Sequence, residues 1–265
     1  TRVRSSAASD VYKRQIMYNE IVHHRATLFI SSPIEINSEN VTKISAVLEK
    51  YQLIPTSAKS LGFRITPQGI KQEDSITLEM KKLDESFKVI FGNDRIDIMR
   101  NKISENDILE STNIFTQKAE NIFSLLIQTF SLLTNRLALC ANVVFDLDND
   151  RLDNIYTIFA NTTEDSTDIS SPPIEWEIRN VRRKPLKEQE AILINYVSKI
   201  ARNNIQIGYE KEPKDRILLE LDINSVPIPN LIISEDNIKC FWKDVHTKLT
   251  QIINCYQKDL NHEYE

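Results

Sequence analysis

Glycine is scarce in this chain, and its scarcity excludes the loops that bind phosphate groups through closely spaced glycines. The 265 residues contain four glycines, where average usage of about 7% would give roughly 18. They are Gly62, Gly69, Gly92 and Gly208, and no two lie within five residues of each other. Neither a P-loop nor the glycine fingerprint of a dinucleotide-binding fold can therefore be written anywhere in the sequence.

Cysteine is also rare, and its spacing does not indicate a metal site. Cys140, Cys240 and Cys255 form no C-x-x-C pair, and the four histidines are not spaced with them as zinc ligands. Cys240 and Cys255 fall on one predicted helix, where they would lie about 22 Å apart, beyond disulfide reach. We expect three reduced core thiols, and this use of cysteine favours a cytoplasmic location.

Long apolar runs are missing as well, since none approaches the roughly 18 residues that a membrane-spanning helix needs. Hydrophobic residues make up 41% of the chain and charged residues 27%, which is ordinary for a globular protein. The net charge of -5 argues against general binding of nucleic acid, because such binding depends on clustered Lys and Arg. We expect a soluble protein without membrane contact, large enough for one domain or two lobes.

The start of the chain has a separate interpretation. Residues 5–15 read SSAASDVYKRQ, a string that resembles, letter for letter, the translation of a sequencing adaptor. We therefore expect residues 1–15 to be an adaptor-derived scar. On this interpretation the native chain begins at Met17 or is truncated just upstream of it.

Periodicity predicts one group of elements between residues 16 and 159. A strand ends near Pro33, and Ser38 is the predicted N-cap of the helix that follows. The tripeptide Gly92-Asn93-Asp94 has the composition of a hairpin turn, which predicts an antiparallel meander. A helix follows and then a further strand. The predicted ranges are strands at 26–31, 62–66, 75–81, 87–91, 95–100 and 136–147, with a helix at 112–134.

A second group of elements follows residues 160–173, ANTTEDSTDISSPP, whose composition is that of an exposed linker. Ser234 opens the clearest helix. The sequence thus predicts an α+β fold of mainly antiparallel strands with long amphipathic helices, in two lobes at residues 16–159 and 174–265. The order of elements hints at duplicated parts without a readable sequence repeat. Before Ser234 the predicted ranges are strands at 174–182 and 216–224 and a helix at 188–202.

One acidic string suggests chemistry. VVFDLDND, residues 143–150, resembles the first motif of haloacid-dehalogenase-type phosphatases, in which a hydrophobic strand presents a nucleophilic Asp and a second Asp two residues later. The resemblance implies Asp146 as nucleophile and Asp148 as general acid. The string departs from that family at Asn149 and Asp150, where the family has a small pair such as Gly-Thr.

The same acidic residues have two other interpretations. Asp146, Asp148 and Asp150 would supply oxygen ligands to Mg²⁺ or Ca²⁺, and Glu220 or Asp222 would complete a two-metal site if the two strands converge. Alternatively, DLDND is a solvated turn in which the Asp and Asn side chains bond their own backbone. We favour the turn.

A basic group stands out in this acidic chain. The segment EIRNVRRKPLK would bind a phosphate, an acidic partner or nucleic acid. A charged edge strand that discourages unwanted pairing has the same composition, and we favour that second interpretation. The basic residues are Arg179, Arg182, Arg183, Lys184 and Lys187.

Three segments together resemble an uncharacterised, sporadically distributed family of bacterial α+β proteins. They are NRLALCANVVFD, PIEWEIR, and LLELDIN ahead of WKDVHTKLTQII. The resemblance covers most of residues 25–258 and passes on no activity, cofactor or site residue. We expect a non-catalytic binding or regulatory protein of the bacterial accessory genome, without a cofactor, that contacts a protein partner or a second copy. The alternative is a metal-dependent phosphoryl-transfer or hydrolytic enzyme that uses Asp146, Asp148 and Asp222.

Overall fold

A single antiparallel sheet organises the molecule. The computed structural model describes residues 18–66, 69–160, 173–187, 189–229 and 231–261. Its strands are β1 Tyr18–Ile30, β2 Ile54–Thr66, β3 Gly69–Lys81, β4 Phe87–Phe91, β5 Arg95–Asn101, β6 Thr134–Asp146, β7 Trp176–Leu186, β8 Gln189–Ile205 and β9 Lys214–Ser225. Its helices are α1 Ser38–Leu48, α2 Thr112–Phe130, α3 Asn149–Ala160 and α4 Glu235–Asn261. The strand order is β2-β3-β4-β5-β1-β6-β9-β8-β7, which confirms the α+β class with mainly antiparallel strands.

Side chains alternate between two faces of the sheet, as the pleat of a strand requires. On β1 the buried Ala26 and Leu28 point to the same side as His24, whose ring stacks on Phe115 of α2 with centroids 4.8 Å apart. We call this side the helix face, because helices pack on it. The other side, which carries Arg25, is called the open face, and in the described part of the chain no helix covers it.

The core lies between the helix face and the helices. Its members form one continuous hydrophobic cluster that runs through both halves of the chain. α2 packs against α4, where Phe123 and Trp242, each at most 1% exposed, stack with ring centroids 5.6 Å apart. The apolar stripes that predict both helices in the sequence thus pack against each other.

The two halves of the chain repeat one topology. Each half has a central strand, a helix, an antiparallel meander that runs from the sheet edge inward, and a closing helix. The central strands β1 and β6 pair over their full length, from Tyr18 opposite Asp146 to Ile30 opposite Thr134. The hint of duplication is therefore visible in topology. The division into two lobes stays a prediction, because sheet and core are continuous across it.

The structure tests the predicted hairpin and the predicted helix caps. The hairpin between β4 and β5 is confirmed, and so is the cap of α4, where Ser234 Oγ accepts from the backbone N–H of Asn237 at 3.3 Å. Asn37, not Ser38, caps α1, with its Oδ1 accepting from the N–H of Asn40 at 2.9 Å. Residues 1–15 and 161–172 lie outside the described residues. Among the described helices none combines the length and apolarity that crossing a membrane requires.

The predicted helix at 188–202 is wrong. Residues Gln189–Ile205 form the strand β8, which pairs with both β7 and β9. Ile192, Ile194 and Ile200 are buried on the helix face, so the segment follows a period of two with β-branched residues. Ala191, Val197 and Ala201, which lie between them, also fit a helical stripe, so the sequence alone did not distinguish a helix from a strand.

A groove at the sheet edge is the candidate binding site

The edge strand β7 divides the basic group between the two faces of the sheet. In the described part of the chain β7 pairs with β8 alone. Arg182 lies opposite Tyr196, which contacts α4, so Arg182 and Lys184 belong to the helix face. By alternation Arg179 and Arg183 belong to the open face. Lys187 follows the strand in a turn.

A cavity of about 380 Å³ lies beside β7 on the helix face. β7 and β8 form its floor, and α4 with the end of α3 forms its wall. We call it the β7 groove. The residues that decide its chemistry are Arg182, Lys184, Tyr196, Ser198, Lys248 and Tyr256.

The interior of the groove is largely aromatic and apolar. Phe159 and Tyr256 stack with ring centroids 5.7 Å apart, and Ile252 lies in the same lining. The Tyr256 hydroxyl shares a 2.8 Å hydrogen bond with the Ser198 hydroxyl. Tyr196 donates to Asp244 at 3.4 Å, and burial raises the pKa of Tyr196 to about 12. The phenol therefore stays neutral at physiological pH.

The rim of the groove carries cations without carboxylate partners. Arg182 and Lys184 are exposed, and neither makes a hydrogen bond or ion pair with any residue that the structure describes. Within the described residues Lys248 donates one side-chain hydrogen bond, to the amide oxygen of Gln251 at 3.3 Å. One carboxylate, Asp259, belongs to the lining. The groove is thus a positively charged site in a chain of net charge -5.

Two arginines that are buried in the described part of the chain, unlike the exposed cations of the groove, are paired with carboxylates. Arg202, 5% exposed, donates to Asp153 and Asp215 and thereby ties α3 to the sheet. Arg216, 2% exposed, donates to Asp146 and Glu210. These two networks fix structure and leave no free donor comparable to those of Arg182.

The predicted acidic site is not brought together. Asp146 is the ion-pair partner of Arg216, and Asp148 accepts from the backbone N–H of Arg151 at 2.9 Å in the first turn of α3. Asp222 of β9 lies opposite Cys140 of β6, and Cys140 is six residues from Asp146 along β6. At about 3.3 Å per residue that is roughly 20 Å, so Asp146 and Asp222 do not share a ligand.

The remaining acidic residues add no metal cluster. Glu220 is paired with Lys199, and the side chain of Asp150 lies outside the described residues. Within the described ranges no group of three or more His, Cys, Asp or Glu is placed to hold a metal ion. Asp148 does bond its own backbone, as predicted for a turn, but the turn begins α3, a helix that the sequence analysis missed.

The expectation of core thiols holds for Cys140 but not for Cys255, and two histidines have structural contacts. Cys140 is buried, and burial raises the pKa of its thiol to about 11, so it is not a nucleophile at neutral pH. Cys255 is exposed and lines the groove, so the expectation of a core thiol is wrong there. His246 Nδ1 lies 3.1 Å from the carbonyl of Trp242 within α4, a structural role. His24 is buried beneath α2.

Sequence reasoning missed the aromatic half of the groove. Tyr196 and Ser198 were assigned to a helix, whereas they are floor residues of β8. The alternation of Ile192, Ile194 and Ile200 was the signal that could have identified the strand.

Comparison of the sequence with models of protein families and with curated proteins finds no match. The geometry of the groove therefore carries the functional argument.

Proposed function

We propose that the protein is a non-catalytic binding protein whose ligand site is the β7 groove. The ligand combines a negative charge with an apolar or aromatic group. One observation carries this proposal: Arg182, Lys184 and Lys248 surround an aromatic cavity, and none of the three pairs with a carboxylate of the described residues. An anion at the rim would gain charge-assisted hydrogen bonds that the folded chain does not already satisfy.

The physical balance favours a mixed ligand over a simple anion. Exposed cations alone gain little from an ion in water, because solvent screens the attraction. Burying an apolar group against Phe159, Ile252 and Tyr256 supplies the missing free energy, and it lowers the local dielectric around the rim contacts. Pockets that bind ligands typically join an apolar lining to a few polar anchors in this way.

The setting that we propose is cytoplasmic and regulatory. The exposed thiol of Cys255 fits a reducing compartment. A metal-dependent activity at Asp146, Asp148 and Asp222 has no comparable support, because the first two are engaged in structural contacts and the third lies at a distant register position.

The test uses a fluorescent probe of the proposed chemistry, 8-anilinonaphthalene-1-sulfonate, which joins aromatic rings to a sulfonate. We expect the double variant Arg182→Glu with Lys184→Glu to bind it at least ~10-fold more weakly, since two charge-assisted contacts are lost. The neutral analogue N-phenyl-1-naphthylamine should bind both proteins equally.

A matched control makes the same change of charge on the opposite face of the same strand. Arg179→Glu with Arg183→Glu should leave binding of the sulfonate probe within about twofold of the parent, because both side chains point away from the groove. Equal losses in the two double variants, or no binding to the parent protein, would contradict the proposal.

A further inference from the structure

We infer that the β7 groove receives an acidic, extended segment of a partner protein, which pairs with β7 as an additional strand of the sheet. This inference rests on the proposed function and names its ligand. Three features carry it: the free edge of β7, the distribution of cations on both faces of that strand, and the apolar cavity directly beside it.

Within the described ranges no strand pairs with the outer edge of β7. Trp176–Leu186 is the last strand of the sheet on its side, and residues 179–185 are exposed. In an antiparallel pair every second residue directs its N–H and C=O groups away from the existing partner. Only Pro185, near the end, lacks a donor. Among the residues that the structure describes, the middle of β7 therefore has a row of backbone groups without partners, the template that strand addition uses.

The side chains of β7 specify what kind of strand fits. An added strand would place residues opposite Arg182 and Lys184 on the helix face, two positions apart, and residues opposite Arg179 and Arg183 on the open face. Opposite charges across a strand pair stabilise it, and like charges destabilise it. The complementary strand is thus acidic on both faces, and an apolar side chain on its helix face would enter the groove.

A second copy of this chain is a poor occupant of the edge. Antiparallel pairing of β7 with itself over its full length would place Arg179 opposite Arg183 of the second copy, twice. These like charges oppose the pairing. A single-stranded nucleic acid would satisfy the cations but would leave the backbone groups of β7 unused. An acidic protein segment satisfies both.

The experiment uses the full chain and the synthetic peptide Phe-Thr-Glu-Glu-Glu-Glu-Thr, whose four consecutive Glu residues place acidic side chains on both faces when it is extended. We expect it to displace the sulfonate probe and to protect amides of β7 from hydrogen exchange, while amides of β4 stay unchanged. The same peptide with N-methyl groups on alternate residues keeps its charge but cannot pair, so it should bind at least ~10-fold more weakly.

The two charge-reversal variants separate strand addition from simple anion binding. The variant at Arg182 and Lys184 should weaken the peptide and the sulfonate probe alike. The variant at Arg179 and Arg183 should weaken the peptide alone, because only a strand presents side chains to both faces.

Failure of this inference is distinct from failure of the proposed function. If the sulfonate probe binds as expected but the peptide does not, or if N-methylation changes nothing, strand addition is excluded and the groove keeps its ligand chemistry. Displacement of the probe by a single-stranded oligonucleotide but not by the peptide would overturn the choice of a protein partner.

Discussion

At the scale of single residues, the burial and ion pairs of Arg202 and Arg216 could not be predicted from the sequence. Both are buried cations that join separate elements, yet nothing in the local sequence distinguishes them from surface arginines. By contrast, the division of the basic group was predictable. Once residues 174–182 were read as a strand, alternation alone separates Arg179 from Arg182. Charge partners depend on tertiary placement, whereas the face of a strand depends only on position.

Glu210 gives the ion pair of Arg216 a pH dependence. Hydrogen bonds from Arg216 lower the pKa of Glu210 from 4.5 to about 2. The folded state thus binds this proton less tightly than the unfolded chain, so the stabilisation is complete above pH 4.5 and is lost as pH falls toward 2. Glu210→Gln should lower the urea midpoint at pH 7, and the difference from the parent should disappear near pH 2.

The control for that measurement is Glu49→Gln, which changes an exposed carboxylate without an ion pair among the described residues. Its difference from the parent protein should be small at every pH. A constant difference for Glu210→Gln across the range would contradict the role of the ion pair.

His24 should also make the folded state less stable as the pH falls, but in a higher pH range than Glu210. Burial lowers the pKa of His24 from 6.5 to about 4, against the opposing charge of Glu110. Protonation therefore favours the unfolded chain, and stability is lost as pH falls from 6.5 toward 4, by up to about 3 kcal/mol. His24→Leu removes the 3.3 Å hydrogen bond between His24 Nε2 and Thr112 Oγ1, so it should cost about 1 kcal/mol at pH 7. It also removes the group that takes up the proton, so the variant should lose less stability than the parent protein between pH 6.5 and pH 4, as measured by urea unfolding at those two pH values.

At the scale of elements, the amphipathic helices were the most predictable parts, since α2 and α4 follow a period of 3.6 over many residues. β8 was not, because its apolar residues fit two periods. The missed helix α3 begins in an acidic string and ends beside the linker composition, so its apolar positions Leu152 and Ile155 had little context. Tyr196 on the floor of the groove was missed together with β8, and Phe159 on its wall was missed together with α3. Of the residues that line the groove, the predicted basic group contained Arg182 and Lys184.

The contact between α2 and α4 should dominate the stability of both helices. Phe123→Ala removes a fully buried ring that stacks on Trp242, and we expect a loss of about 3–5 kcal/mol in the free energy of unfolding. Leu125→Ala, on the same helix but 37% exposed, should cost under about 1 kcal/mol. Chemical denaturation measures both, and comparable losses would contradict the packing described.

At the scale of the whole molecule, the class of fold was predictable, but the single continuous sheet was not. The linker composition of residues 160–173 indicated two lobes, whereas the pairing of β6 with both β1 and β9 links residues that lie on opposite sides of that segment. Local periodicity cannot report which strands become neighbours when they are far apart in sequence.

Calorimetry distinguishes one cooperative unit from two lobes. Because one sheet and one core run through both halves, we expect a single thermal transition with equal calorimetric and van't Hoff enthalpies. Leu139→Ala, in the central strand and fully buried, should lower that transition as a whole. Two resolved transitions, of which only one responds to the substitution, would show that the lobes unfold separately.

The position of β1 in the middle of the sheet has a consequence for synthesis on the ribosome. Arg25 and Cys140 are neighbours in the sheet yet 115 residues apart in the chain, so β1 emerges long before β6 is available to cover its flank. Until then β1 can pair with β5 on one edge, but its other edge has no partner strand. Chaperone engagement is therefore expected to concentrate on chains that have not yet been elongated through β6.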